Sequence, residues 1–280
     1  MAKPELSSFH SLDDVVLRRG VVSDLSVVIS GMTCDCRLND RVPGDVLYAV
    51  FNGAVDRQKY TIPVFARWNW HALLEAPILA LCDPVLHLDP NLRLGWFIGT
   101  EEVDVTRAMA ALVTAVAEQL DIAPGRVICY GSSSGGFAAI SVASQMPQGR
   151  FVAYNPQVEL LRYYKGHLAD VSKLFCPSRT VQENAQRFPE RWSAIAALRA
   201  ALGRGYDVRG VIAQNTVDEF HLERHYTPFC EAFELPVEGG SNPGSTLHST
   251  LYEDPRGHGP EPPEVAKRVV EDYVDLLLRP

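Results

Sequence analysis

The chain has 280 residues, 46% of them hydrophobic, enough to bury the core of one large α/β domain spanning 1–280. Its formal net charge of −8 repels polyanions, so nucleic acid and anionic membrane surfaces are not expected partners. No apolar run approaches the ~20 residues of a membrane span, and the start, "MAKPELSSFHSLDDVV", has no signal-like stretch, so a cytoplasmic protein is expected.

Seven apolar, β-branched runs bounded by turn residues read as strands: residues 25–31, 46–53, 77–84, 126–131, 150–156, 208–215 and 245–254. Most are continuously apolar rather than alternating, as expected of strands covered on both faces. Cys34 and Cys36, in "GMTCDCRLND", are separated by one residue and have no second Cys/His pair at zinc spacing, so neither a metal site nor a disulfide framework is expected. Helix periodicity is clearest in "TEEVDVTRAMAALVTAVAEQLDI". There Thr100 can cap, while Val105, Met109, Leu112, Val116 and Leu120 form one stripe. Further helices follow in "SGGFAAISVASQM" and in the closing "PPEVAKRVVEDYVDLLL". Alternating strands and helices imply a mostly parallel sheet with helices on both faces. Residues 157–205 are too long for an ordinary crossover and read as a helical insertion able to cap a site; residues 233–249, rich in glycine and proline, read as a loop.

The densest chemical signal is "VICYGSSSGGFAAI", Val127 to Ile140. Gly131, Ser133 and Gly135 satisfy G-x-S-x-G between a buried strand and a helix, where the turn must be tight enough to strain its central residue. Glycines two before and two after remove side chains that would collide. The Ser133 hydroxyl is then exposed at the carboxyl edge of the sheet, and the Ser134 backbone N–H faces the oxygen that becomes negative in a tetrahedral intermediate. A phosphate-binding loop would need a terminal lysine, and a dinucleotide loop G-x-G-x-x-G; neither is present.

Strand, "GSSSGG" and helix together resemble the nucleophile elbow of the α/β-hydrolase superfamily. The resemblance implies an acid and then a histidine, each in a loop after a late strand. Asp218, in "TVDEFHLERHY", occupies the acid's place with Glu219 as its neighbouring competitor. His258, in "PRGHGPEPPEV", lies between glycines ahead of the last helix; His248 falls inside a strand, and His221 and His225 lie within a turn or two of Asp218. The chemistry requires these types: a serine hydroxyl is a weak nucleophile until a neutral imidazole takes its proton, and the carboxylate fixes the tautomer of that imidazole. The resemblance further implies a second oxyanion donor after the strand at 46–53, at Gly53 or Ala54, although "FNGA" also reads as a plain Asn-Gly turn.

Four more residues are candidates for substrate contact. Asn52 and Asp83 end strands, Asn155 ends the strand at 150–156, and Arg67 stands beside Trp68 and Trp70. Arg67 has the chemistry to grip a carboxylate or stack on a sugar, or it packs on tryptophan with its head solvated; Asp83 also reads as an Asp-Pro turn starter. No cofactor and no metal are called for. The expected activity is a serine hydrolase cleaving an ester, thioester or amide through an acyl-enzyme. Its substrate would be a small-molecule or carrier-bound acyl group, in natural-product or cell-surface polysaccharide biosynthesis. The alternatives are acyl transfer on the same triad and a non-catalytic accessory or binding protein that kept the fold.

Overall fold

The computed structural model describes residues 4–279, so the ends of the 1–280 domain reading, at residues 1–3 and 280, lie outside the described residues. Ten strands form one sheet: β1 (Glu5–Phe9), β2 (Val22–Ile29), β3 (Met32–Asn39), β4 (Leu47–Phe51), β5 (Ile78–Leu81), β6 (Val127–Ser132), β7 (Arg150–Tyr154), β8 (Arg209–Asn215), β9 (Gly240–Ser241) and β10 (Leu247–Tyr252). Their order is β1-β2-β3-β5-β4-β6-β7-β8-β10-β9. The six strands β5, β4, β6, β7, β8 and β10 run parallel, while β3 and β9 pair antiparallel with their neighbours.

Both faces of this block are covered, which is why its strands lack polar alternation. In β4, Leu47, Ala49 and Phe51 enter one core with the helices Val105–Gln119, Ser134–Ala143 and Ala194–Gly203. Tyr48 and Val50 point the other way, onto Val265, Val269 and Leu277 of the helix Pro263–Leu278. The period-2 geometry of the strand divides its apolar run between two cores.

The seven expected strands are present with shifted ends; three others went unread. β3 carries Asp35 and Arg37 within "MTCDCRLN", so its apolar signal is broken. The tight Ser30-Gly31 connection to β2, with φ values of 51° and 80° and Ile29 paired with Met32, is a two-residue hairpin turn of the kind that needs positive φ at both positions. β1 and β9 lie at the sheet's edges, where the core exerts no pattern on the sequence. Thr100 does not cap the first long helix. Asp104 does, accepting from the Arg107 N–H, while the Thr100 hydroxyl accepts from the Val103 N–H in the turn before it.

Between β7 and β8 the chain forms the helices Lys165–Phe175, Val181–Arg187, Pro189–Trp192 and Ala194–Gly203. The last of these packs on the helix Ser134–Ala143. Arg191 donates to the Ile98, Thr100 and Val103 carbonyls, tying the segment to the 98–103 loop. No helix among the described residues is long and apolar enough to cross a membrane.

Two close approaches fix the turn after β6. A Cβ on Gly131 would sit 2.2 Å from the Gly135 carbonyl oxygen, and one on Gly135 would sit 2.4 Å from the Phe51 carbonyl oxygen. Gly135→Ala must therefore push the helix Ser134–Ala143 off β4, with an expected loss of about 1–3 kcal/mol in urea unfolding. A variant as stable as the parent would show that the contact is not tight.

Candidate active site

Six of the candidate residues follow a strand of the parallel block at its carboxyl end: Asn52 after β4, Asp83 after β5, Ser133 after β6, Asn155 after β7, Asp218 after β8 and His258 after β10. A parallel sheet gathers its strand-end loops on one edge, so residues distant in sequence meet there.

Ser133 has φ 56° and ψ −123°, a left-handed conformation that a side chain ordinarily avoids. Its N–H is held by the Tyr154 carbonyl, and its own carbonyl accepts from Gly136 and Phe137. The hydroxyl lies 2.9 Å from His258 Nε2, and His258 Nδ1 lies 2.6 Å from Asp218 Oδ2. Glu219, the competing acid, is exposed at the start of the short helix Glu219–His221. The other oxygen of Asp218 lies 3.0 Å from Nδ1 of His221, so one carboxylate faces two imidazoles. Burial alone would raise the Asp218 carboxyl, but bonds from His221 and His258 outweigh it and hold the group well below the ordinary carboxylate range.

The donor atoms of Asp218, His221 and His258 lie within 4.8 Å of one another. Both Nδ1 atoms are directed at the Asp218 carboxylate. The backbone N–H of Ser134, at the first position of its helix, is free of intrahelical pairing. Those of Gly53 and Ala54 find no acceptor among the described residues. The Asn52–Gly53 turn abuts the elbow, because the Asn52 carbonyl crowds Gly135 and Gly53 lies against the Ser132 carbonyl.

Of the four residues expected to touch substrate, Asp83, Asn155 and Arg67 turn their side chains into the protein, whereas Asn52 lines a cavity beside the elbow while its amide is bonded within the protein. Asn52 Oδ1 accepts from the Asp83 N–H. Asp83 accepts from the N–H groups of Val85, Gly95 and Phe97, so it anchors a loop in which Trp96 and Phe97 both have positive φ. Burial raises its carboxyl to about 6 against those three bonds. Asn155 accepts from the Asn215 N–H and donates to Tyr252 and to the Gly259 carbonyl. Arg67, with a side chain 8% exposed, pairs with the fully buried Glu261 at 2.5 Å and donates to Ser132 Oγ. Burial would lower its guanidinium, but the Glu261 charge keeps it raised, and its head is closed off from any ligand.

Several functional residues had no motif to announce them. The Asn215 amide donates to the carbonyls of Asp254 and Gly257 and shapes the turn that presents His258. Glu261 accepts from Tyr130 of β6 and from Arg67, clamping the same loop beneath the serine. Gln157 lies 3.0 Å from Ser133 Oγ and 2.7 Å from His221 Nε2, and it accepts from the Trp96 indole. Their only sequence signal is position: each lies within a few residues of a strand's carboxyl end or of His258.

This order of strands, with a glycine-flanked serine after β6, an acid after β8 and a histidine after the last parallel strand, defines the α/β-hydrolase fold. Among solved structures, a glycosylation-associated protein (Gap123) complex from Streptococcus agalactiae aligns over 90% of this chain and 46% of its own, at 13% identity and TM-score 0.61. The chain thus spans about half of that relative. A capsule O-acetyltransferase of Neisseria meningitidis serogroup A aligns over 90% of this chain and 96% of its own, at 14% identity and TM-score 0.59. Acetyl xylan esterase 1 from Thermoanaerobacterium sp. JW/SL YS485 aligns over 92% and 82%, at 14% identity and TM-score 0.58. No family model and no curated protein sequence matches the chain.

Two stability measurements follow. Glu261→Ala leaves the Arg67 guanidinium buried without its partner, and a loss of about 3–5 kcal/mol in urea unfolding is expected. A loss below 1 kcal/mol would mean that the pair does not hold the loop. Asp218 binds its proton less readily folded than unfolded, where its pKa is about 3.9. Its contribution is therefore fully present above about pH 4 and is lost as the pH falls further. The stability difference between wild type and Asp218→Asn should shrink below pH 4; a difference that grows there would reverse the sign.

Proposed function

We propose that the protein is a serine enzyme of acyl chemistry, which takes an acyl group from an ester, thioester or amide onto Ser133 and passes it to water. The carrying observation is the unbroken chain from Ser133 Oγ to His258 at 2.9 Å and from His258 to Asp218 at 2.6 Å. In this reading His258 accepts the hydroxyl proton at Nε2 as Oγ bonds to the acyl carbon. The carbonyl π pair moves onto oxygen, facing the N–H groups of Ser134 and of Gly53 or Ala54. The imidazolium, stabilised by ionised Asp218, then protonates the leaving group; water repeats the sequence to release the acid.

A cavity of about 790 Å³ supports a sizeable substrate. The Asn52–Val55 loop, which abuts the elbow, forms one wall, and Tyr60, Phe65 and Trp68 form another; Ser133 itself does not line it. Aromatic walls with Asp24, Asp35 and Arg37 among them suit a polyhydroxylated partner better than a bare alkyl chain. The names of the capsule O-acetyltransferase and acetyl xylan esterase structures fit the same class, an O-acyl group on a polysaccharide. Transfer to an alcohol needs only that a hydroxyl replace water in the second half. The chain from Ser133 to Asp218 disfavours a non-catalytic accessory role. The segment 157–205 would border the acyl site, since Gln157 at its start reaches Ser133.

Turnover of p-nitrophenyl acetate and labelling by a fluorophosphonate are expected of the wild type. Ser133→Ala should abolish labelling and lower kcat by on the order of 10⁶-fold. Either response surviving in that variant would remove Ser133 from the role. A glycoside or other alcohol acceptor added to the assay separates the two second halves: an acylated acceptor signifies transfer, free acid alone hydrolysis.

A further inference from the structure

Gln157 is fully buried and has four hydrogen-bonding opportunities, three of them used. The Trp96 indole N–H, also fully buried, is a donor only and lies 3.1 Å from the Gln157 carbonyl oxygen, Oε1. That contact decides which way round the amide sits, because the reverse orientation would set two donors face to face. The Gln157 NH₂ group must then be the one directed at both Ser133 Oγ, 3.0 Å away, and His221 Nε2, 2.7 Å away.

The assignment propagates. His221 Nε2 receives a proton donor and is therefore the bare nitrogen of its ring. Its proton sits on Nδ1 and is donated to Asp218 Oδ1. The ring lies flat on His258, with centroids 3.8 Å apart and planes 7° apart. A second charged imidazole at that distance would oppose the imidazolium that His258 becomes. Burial, joined by His258, lowers the affinity of His221 for a second proton despite the facing Asp218. The remaining titratable groups packed against His221 are His225, buried and pushed down to about 3, and Tyr163.

We infer that Gln157 is a further catalytic residue that donates to the reacting oxygen of Ser133, and that Trp96 and His221 are positioning residues holding its amide and the Asp218–His258 pair in one proton arrangement. The inference rests on Ser133 as nucleophile. The hydroxyl donates to His258 and accepts from Gln157, which leaves one lone pair for the acyl carbon and so fixes the direction of attack. As the O–H proton passes to His258 Nε2, negative charge gathers on Oγ and the Gln157 bond strengthens. The same bond assists when Oγ leaves the acyl carbon in the second half and takes its proton back from His258. His221 stays neutral throughout and gives His258 a planar, uncharged neighbour on which the imidazolium can stack.

Imidazole ¹⁵N spectra of the full chain read the arrangement without any substrate. Wild-type His221 is expected as the neutral Nδ1–H tautomer at pH 7 and at pH 6. Gln157→Glu, which puts an acceptor where the donor was, is expected to bring a second proton onto His221 Nε2 at pH 7. In kinetics, Gln157→Leu should lower kcat and the fluorophosphonate labelling rate by about 10²-fold, the scale for losing one donor to a reacting oxygen. Trp96→Phe, which frees the amide to turn, should give mixed His221 tautomers. A wild-type His221 that is doubly protonated or Nε2–H at pH 7 overturns the inference, as does a folded Gln157→Leu that labels at the wild-type rate. Should Gln157→Leu fail to fold, the wild-type and Gln157→Glu spectra still decide. Should Ser133→Ala keep its activity, the reading of the nucleophile fails instead, and the spectra then report on the proton arrangement alone.

Discussion

One steric constraint supports the rest of the site: the chain leaves β6 and enters a helix within a single residue, Ser133, held at positive φ. Such a conformation costs about 1–3 kcal/mol and persists only where its surroundings over-determine it. Here they do. β6 is fixed between β4 and β7, the Ser133 N–H is tied to Tyr154, and the first turn of the helix is pressed on the Phe51 and Asn52 carbonyls through a residue without a side chain. The hydroxyl cannot relax away from the sheet edge, so the other groups have a fixed point to meet.

What meets it is a buried polar network rather than a row of independent residues. Asn155 and Asn215 spend their amides on backbone in the neighbouring loops, and Arg67 and Glu261 neutralise one another beneath the serine. Hydrogen-bonded polar groups in a low-dielectric interior are held rigidly. This explains a division of labour among the acids. Asp83, for which burial outweighs three backbone donors, is raised; Asp218, which accepts from two imidazoles, is lowered and stays ionised. One carboxylate organises a loop and the other serves a histidine, and the difference lies in their partners rather than in their residue type.

The same distinction explains which features were legible. The long apolar runs of β4 to β8 announced themselves because burial on both faces removes polar residues from them. β3 did not, because Asp35 and Arg37, paired with His87 and Asp24, interrupt its apolar run. Ser133 was legible through its glycines, and Asp218 and His258 through their places after late strands. Arg67 was misread because an arginine just ahead of two tryptophans looks free until Glu261, nearly two hundred residues later, is brought beneath it. Gln157 gave no signal beyond its place just after β7, since an amide's role depends on which donors and acceptors surround it.

By itself, the sequence determined the alternation of strands and helices, the sharp corner at Ser133 and the order of serine, acid and histidine along the chain. These are local properties: periodicity, the absence of a Cβ at 131 and 135, and residue type at a strand end. The tertiary structure alone decided that Asp218 rather than Glu219 faces His258, that His221 stacks on that ring, and that Trp96 sets the orientation of Gln157. Those outcomes depend on hydrogen-bond direction and ring contact between segments up to 61 residues apart, and only the folding of the parallel sheet brings them to one edge.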